Sequence, residues 1–173
     1  MTKAALTHKE IERKFLVRDD RWRTLGVPVL FKQGYLVADR QRVVRVRLEG
    51  ERAVLTIKGA THGLTRSEFN YAIPRDDAET MLDTLALKPL ITKWRTVIEH
   101  AGHYWEVDEF LGDNAGLIVA EIELSSEEEP FEKPDWIGEE VTGDPRYGNA
   151  SLVRYPYTTW ATTPPLGEGQ QTC

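Results

Sequence analysis

The sequence predicts a mainly β protein of the α+β kind, in which eight antiparallel strands close into a barrel with a few peripheral helices. Three observations predict it. Eight short segments alternate with period two, the pattern of a strand with two different faces. Turn residues join several neighbours by links so short that the pairing must be antiparallel. On seven segments one face is charged, and across the seven both signs are represented. A closed barrel turns such faces into one lumen and leaves no sheet edge.

The strand segments are Glu10–Val17, Gln33–Ala38, Val43–Glu49, Ala53–Lys58, Arg66–Ile73, Ile91–Glu99, Tyr104–Phe110 and Leu117–Leu124. Gly50, the Gly59–Gly63 stretch, Ala101-Gly102 and the Gly112–Gly116 stretch supply turns between them. Three helices are expected. Asp19–Leu25 is short. Arg75–Leu87 follows Pro74, opens with Asp76 and Asp77, and places Ala78, Met81, Leu82 and Leu85 on one face. The third covers Gly148–Arg154. Ser125–Trp136 is acidic and interrupted by Pro130 and Pro134, so no regular element is assigned to it. The expectation is one domain over residues 1–160, followed by a disordered tail over 161–173 that contains two prolines and two glycines.

Apolar residues make up 40% of the chain and charged residues 29%, the proportions of a soluble globular protein. No apolar run is long enough to span a bilayer, and the N-terminus lacks the apolar stretch of a signal peptide. The only cysteine is Cys173, which has no partner for an internal disulfide. These features point to a cytoplasmic protein without a membrane partner. The net charge of −6 argues against nucleic acid as a partner. Charge is nevertheless segregated: Arg40, Arg42, Arg45, Arg47, Arg52 and Lys58 crowd one segment, while nine acids and one lysine occupy residues 121–140.

The chemistry lies in what alternates. Glu10, Glu12 and Lys14 share a face. So do Arg45 with Arg47, Thr56 with Lys58, Arg66 with Glu68, and Lys93 with Arg95. Glu106 with Asp108 and Glu121 with Glu123 form acidic pairs. The opposite faces carry Ile11, Phe15, Val44, Val46, Leu55, Ile57, Phe69, Trp94, Val107, Ile122 and Leu124, which are expected to form the core. Any one charged face could simply be solvated. Repeated like-charged pairs are costly unless the cations meet a polyanion and the acids meet metal ions.

With Gln33-Gly34-Tyr35-Leu36, Gly63–Glu68 and Gly138–Tyr147 in the same order along the chain, the Glu10-x-Glu12-x-Lys14 opening resembles the E-x-E-x-K signature of the CYTH, or triphosphate tunnel metalloenzyme, superfamily. The resemblance covers roughly residues 8–154 and is strongest to short bacterial tripolyphosphatases. It implies an eight-stranded tunnel and metal-dependent hydrolysis of a small anionic triphosphate, with Mg²⁺ or Mn²⁺ as cofactor. It implies Glu10, Glu12, Asp108, Glu121 and Glu123 as metal ligands, with Glu68 either joining them or only pairing with Arg66. Lys14, Arg45, Arg47, Lys58, Arg66 and Arg95 would grip phosphates. Lys93 would be the base for the attacking water, oriented by Tyr35. A lysine among cations loses some preference for its charged form, which suits that role. Phosphate clamping by Lys93 and plain packing of Tyr35 are the bland alternatives.

Two departures from the family pattern stand out. No lysine follows Tyr147, where Gly148-Asn149-Ala150-Ser151 stands, and Arg146 and Arg154 read as surface residues. Asn70 replaces an acid two positions after Glu68. The four histidines lack zinc spacing, no P-loop is present, and Ser67 and Ser151 lack a partner for nucleophilic catalysis. Competing readings are an adenylate cyclase or thiamine-triphosphatase of the same superfamily, a non-catalytic binder of polyphosphate or nucleoside triphosphates, and a β protein with a solvated charged face. Sequence does not choose between monomer and homodimer.

Overall fold

The computed structural model describes residues 9–63 and 65–162. Strands β1 (Lys9–Val17), β2 (Val29–Ala38), β3 (Val43–Glu49), β4 (Arg52–Lys58) and β5 (Thr65–Ala72) lead into helix α1 (Arg75–Thr84). Strands β6 (Ile91–His100), β7 (His103–Phe110), β8 (Ile118–Glu123) and β9 (Ile137–Glu140) follow, and then helix α2 (Asn149–Arg154). All pairings are antiparallel. The sheet runs β5-β4-β3-β2-β6-β7-β8-β1, and a β1–β5 pairing closes it into an eight-stranded barrel. The closing contact is short, Lys9↔Ser67 to Ile11↔Thr65. It leaves the far half of the β1 edge for β9, which pairs at Phe15↔Glu140 and Val17↔Ile137.

All eight expected strands are present, with ends moved by a few residues. The largest move is in β2, which starts at Val29, so Phe31 belongs to it. The ninth strand escaped sequence reading because four residues, Ile-Gly-Glu-Glu, carry too little period. The expected helix Asp19–Leu25 is a 3₁₀ turn over Asp20–Thr24, capped by the Asp19 carboxylate on Arg21 N–H. Helix α1 ends at Thr84 rather than Leu87. The backbone N–H of Leu87 has left the helix to bond the Tyr35 carbonyl at 2.8 Å, and Pro89 disfavours helical geometry at Lys88. The predicted tail overlaps a 3₁₀ turn over Tyr157–Thr162; its remainder lies outside the described residues. Among the described residues no helix is long and apolar enough to cross a membrane.

Ile11, Phe15, Val46, Val107, Ile122 and Leu124 are buried as expected. Among the described residues the core forms three separate patches under different covers. One joins Phe15, Trp105 and Ile122 to Trp22, Phe131 and Trp136, so the acidic 125–136 segment packs as a strap. Another places Ala78 and Leu82 of α1, and Ala86 just beyond its end, on Val46, Leu48 and Ala53. Ile57, Phe69 and Trp94, expected in the core, are 38–40% exposed because none of these patches extends over them.

The third patch shapes the lumen. By alternation Leu16, Tyr35, Val43, Ile91, Phe110 and Val119 point inward at one end of their strands. They pack with Leu152 and Val153 of α2, and with Tyr157 and Trp160. An apolar stopper therefore shuts this end of the barrel. The tight fit of the link between α1 and β6 explains Gly34: a Cβ there would lie 2.7 Å from the Ala86 Cβ and 2.7 Å from Leu90 Cδ2. Neither the short Ala86 nor the packed Leu90 can yield without a shift. Gly34→Ala is expected to cost about 1–3 kcal/mol of stability, read as a lower urea midpoint. An unchanged midpoint would show that the α1 end moves freely.

Candidate active site

The charged faces converge. A cavity of about 730 Å³ inside the barrel is lined by Lys14, Arg45, Arg47, Lys58, Arg66 and Arg95 together with Glu10, Glu12, Glu68, Glu106, Glu121 and Glu123, and Tyr35 also reaches it. Every expected phosphate-binding residue is there. Lys93 and Asp108 are not on the cavity wall. They lie deeper, 0% and 1% exposed, bonded to each other beneath it.

Register explains how the charges meet. Arg95 stands directly opposite Asp108 across β6–β7, Lys14 opposite Glu121 across β1–β8, Lys58 opposite Glu68 across β4–β5, and Glu10 opposite Arg66 at the closing contact. Arg95 holds both Asp108 oxygens, at 2.7 and 2.6 Å, and also contacts Glu106. Lys14 reaches Glu121 at 2.7 Å. Lys58 reaches both Glu10 oxygens at 2.6 and 2.8 Å and Glu68 at 2.9 Å, and Arg66 reaches Glu10 at 2.9 Å. These pairs keep buried ions neutralised, which a low-dielectric interior demands.

The neutralisation is incomplete in two informative places. Arg45 Nε and Arg47 Nε are buried donors without a hydrogen-bond partner. Buried orphan donors are costly, and two on one lumen wall suit an incoming anion with many acceptors. Burial and the neighbouring Arg45 push the Arg47 pKa down to about 10. Conversely, Glu12 faces Glu123 and Glu106 faces Glu121 directly across β1–β8 and β7–β8. Like charges placed so are destabilising by themselves. Burial and then Glu12 lift Glu10 to about 7, although Lys58 opposes this. Burial, then Glu68, Glu106 and Glu12, raise Glu123. Glu68 goes the other way, to about 2: burial opposes the fall, but a hydrogen bond shared with Glu10, the Lys58 charge and Asn70 outweigh it.

Lys93 is pushed down to about 8, by burial first and by Arg95 second, against the pull of Asp108. The sequence reading named only the neighbouring cations. Direct cross-strand partners on both sides, Phe31 on β2 and Phe110 on β7, are aromatic, and its Nζ lies 5.4 Å from the Phe110 ring centre. Tyr35 is raised by burial, and its hydroxyl accepts a bond from Gln33 Nε2 at 3.3 Å.

Several lumen residues were missed or undervalued. Gln33 was read only as part of a motif, yet it is fully buried behind Tyr35. Phe31 lay outside the expected strand; extending the alternation two residues back from Gln33 would have found it. Asn70 donates to Glu68 at 2.7 Å and accepts from Thr56 at 2.7 Å, so it braces this wall. Gly148, Asn149 and Ala150 reach the cavity where a lysine was looked for. Arg146 pairs with Asp144 on the surface, and Arg154 bonds the Ala38 carbonyl, as surface residues.

The CYTH domain family model matches residues 8–157. The chain belongs to the CYTH family. An inorganic triphosphatase from Acetivibrio thermocellus is 50% identical to this CYTH protein over 149 residues, covering 86% of this chain and 96% of the relative. An inorganic triphosphatase from Nitrosomonas europaea is 34% identical over 149 residues, covering 83% and 96%. A crystal structure of an inorganic triphosphatase, 32% identical, matches this fold with a TM-score of 0.59 over 83% of this chain and 93% of its own length.

Glu10 yields a test of the charge geometry. Its ordinary pKa of 4.5 rises to about 7 on folding, so the folded protein binds that proton more tightly. Its stabilising share is complete below the unfolded value and is lost as pH rises through the folded one. The melting temperature of metal-free protein should therefore fall over that interval more steeply for the wild type than for Glu10→Gln. Parallel curves would contradict the placement of Glu10.

Proposed function

We propose that this CYTH protein hydrolyses inorganic triphosphate to pyrophosphate and phosphate with Mg²⁺ or Mn²⁺. The observation that carries the reading is the pair of unpartnered buried guanidinium nitrogens of Arg45 and Arg47 on the wall of a closed, charge-lined lumen. Two relatives that bear the name inorganic triphosphatase and align over most of both chains support it.

Lys14, Arg45, Arg47, Lys58, Arg66 and Arg95 bind the phosphate oxygens. Arginine forks suit the spread charge of a phosphoryl group, and the lysines act as point charges. The substrate replaces carboxylate partners at Lys14 and Lys58, which keeps those cations paired as it enters. Water attacks the terminal phosphorus, the bridging P–O bond breaks, and pyrophosphate leaves. Lys93, neutral in a substantial fraction near pH 8, takes the proton at Nζ. Tyr35, fixed by Gln33, orients the water. Asp108 is engaged on both oxygens by Arg95 and Lys93, so its contribution is to hold those two cations in place.

The acids provide the hard oxygen donors that Mg²⁺ and Mn²⁺ prefer. Among the described residues no three of them converge on one point, because several are drawn onto Lys14, Lys58 and Arg95. The Glu12–Glu123 pair, relieved only by Lys14 at 3.8 Å from Glu12 and by the more distant Lys58 charge, and its neighbours Glu10, Glu68 and Glu121 fit a divalent ion best. Such an ion, when bound, neutralises charge along the triphosphate.

Purified protein with either metal should release phosphate from triphosphate in preference to ATP or thiamine triphosphate, and a chelator should stop it. No release with either metal overturns the proposal, and a preference for an organic triphosphate redirects it. Glu12→Gln should lower turnover by about 10–100-fold or more. Lys93→Ala should lower kcat by about 10²–10⁴-fold with a smaller change in KM. A raised KM with kcat intact would make Lys93 a clamp instead.

A further inference from the structure

We propose that Phe31 is a positioning residue, an aromatic spacer that holds Arg47 and Arg95 in place for the substrate. The inference rests on the reading that these arginines bind triphosphate. Phe31 shares the inward face of β2 with Gln33 and Tyr35 and is 8% exposed. Yet it belongs to none of the three apolar patches. Its company is charged. Across the sheet it stands directly opposite Glu49 on β3 and Lys93 on β6. Arg47 lies opposite Gln33, and Arg95 opposite Val29, so each arginine occupies a diagonal from Phe31. Both guanidinium carbons lie 5.2 Å from its ring centre, one from each neighbouring strand.

That geometry is attractive for each cation separately, because the ring face is electron-rich. It also sets the separation between two like charges that would otherwise repel. The two arginines differ in what else fixes them. Arg95 is held by Asp108 and Glu106. Arg47 has the Glu49 carboxylate, the ring, and a free buried Nε. Loss of the ring should therefore act mainly through Arg47. An aliphatic residue would fill the space but offer no electron-rich face. The arginine would then turn toward Glu49 or toward the mouth, and its Nε would no longer meet a phosphate oxygen.

The test replaces Phe31 with ring-fluorinated phenylalanines, which keep the shape and drain electron density from the ring, alongside F31L, F31W and R47Q. Steady-state hydrolysis of triphosphate is measured for each, with folding checked by thermal melting. The expected result is a KM that rises stepwise with fluorination, reaching about 3–30-fold in F31L, while kcat changes little and F31W restores KM. R47Q should raise KM at least as much. A flat fluorination series with raised KM in R47Q overturns the spacer role alone. An unchanged KM in R47Q overturns the phosphate-binding reading of Arg47, and the spacer role falls with it. The fluorinated series retains the ring's size, so it decides the matter even where F31L fails to fold.

Discussion

Charge balance inside a closed barrel is the constraint on which the rest of the molecule depends. A lumen this enclosed penalises long cationic side chains left without partners, because several kcal/mol are lost for each uncompensated buried ion. The register meets this by setting Arg95 against Asp108, Lys14 against Glu121, Lys58 against Glu68 and Arg66 against Glu10. The same pairings keep the cations extended into the lumen. A substrate that supplies its own negative charge can take over from the carboxylates, and the freed carboxylates are then available to a metal ion. Binding thereby exchanges partners instead of desolvating bare charges.

The gradation along the barrel follows from one end being shut. Near α2 the inward positions are apolar and stack on Leu152 and Val153. One residue pair outward come Lys93 and Asp108, 0% and 1% exposed, with Phe31 and Phe110 opposite Lys93. Farther out come the arginines, and then the glutamates around Glu12 and Glu123. Dryness therefore increases toward the stopper, which is why Lys93 is the lysine whose proton is loosened. Lys14, on the cavity wall, has the opposite fate: Glu121 and Glu12 overcome the burial penalty and hold its proton more tightly. Two lysines in one lumen are thus driven apart by their nearest carboxylates and by what Arg95 adds to one of them.

Much of this was legible from residues alone. Alternation placed Glu10, Glu12, Lys14, Arg45, Arg47, Lys58 and the later pairs on one face, because a strand's side-chain period does not depend on its surroundings. The helix over Arg75 onward was readable from Pro74, the following acids and the Ala78–Leu82 spacing. What failed was local too weak or non-local too strong. Ile-Gly-Glu-Glu in β9 has no period of its own and is a strand because β1 has an unpaired edge beside it. Ile57, Phe69 and Trp94 look like core residues by composition, but burial is decided by which cover lies over them, and covers come from distant chain segments.

The chain by itself determined the eight barrel strands, their hairpins and the presence of charges of both signs on one face of them, since these depend on spacing and turn chemistry within a few residues. Only the tertiary structure decided which charges meet, which lysine sits dry, and that Phe31 stands among arginines. Those outcomes depend on cross-strand register and on closure of β1 against β5, contacts between residues far apart in sequence, and electrostatic energy depends on distance in space.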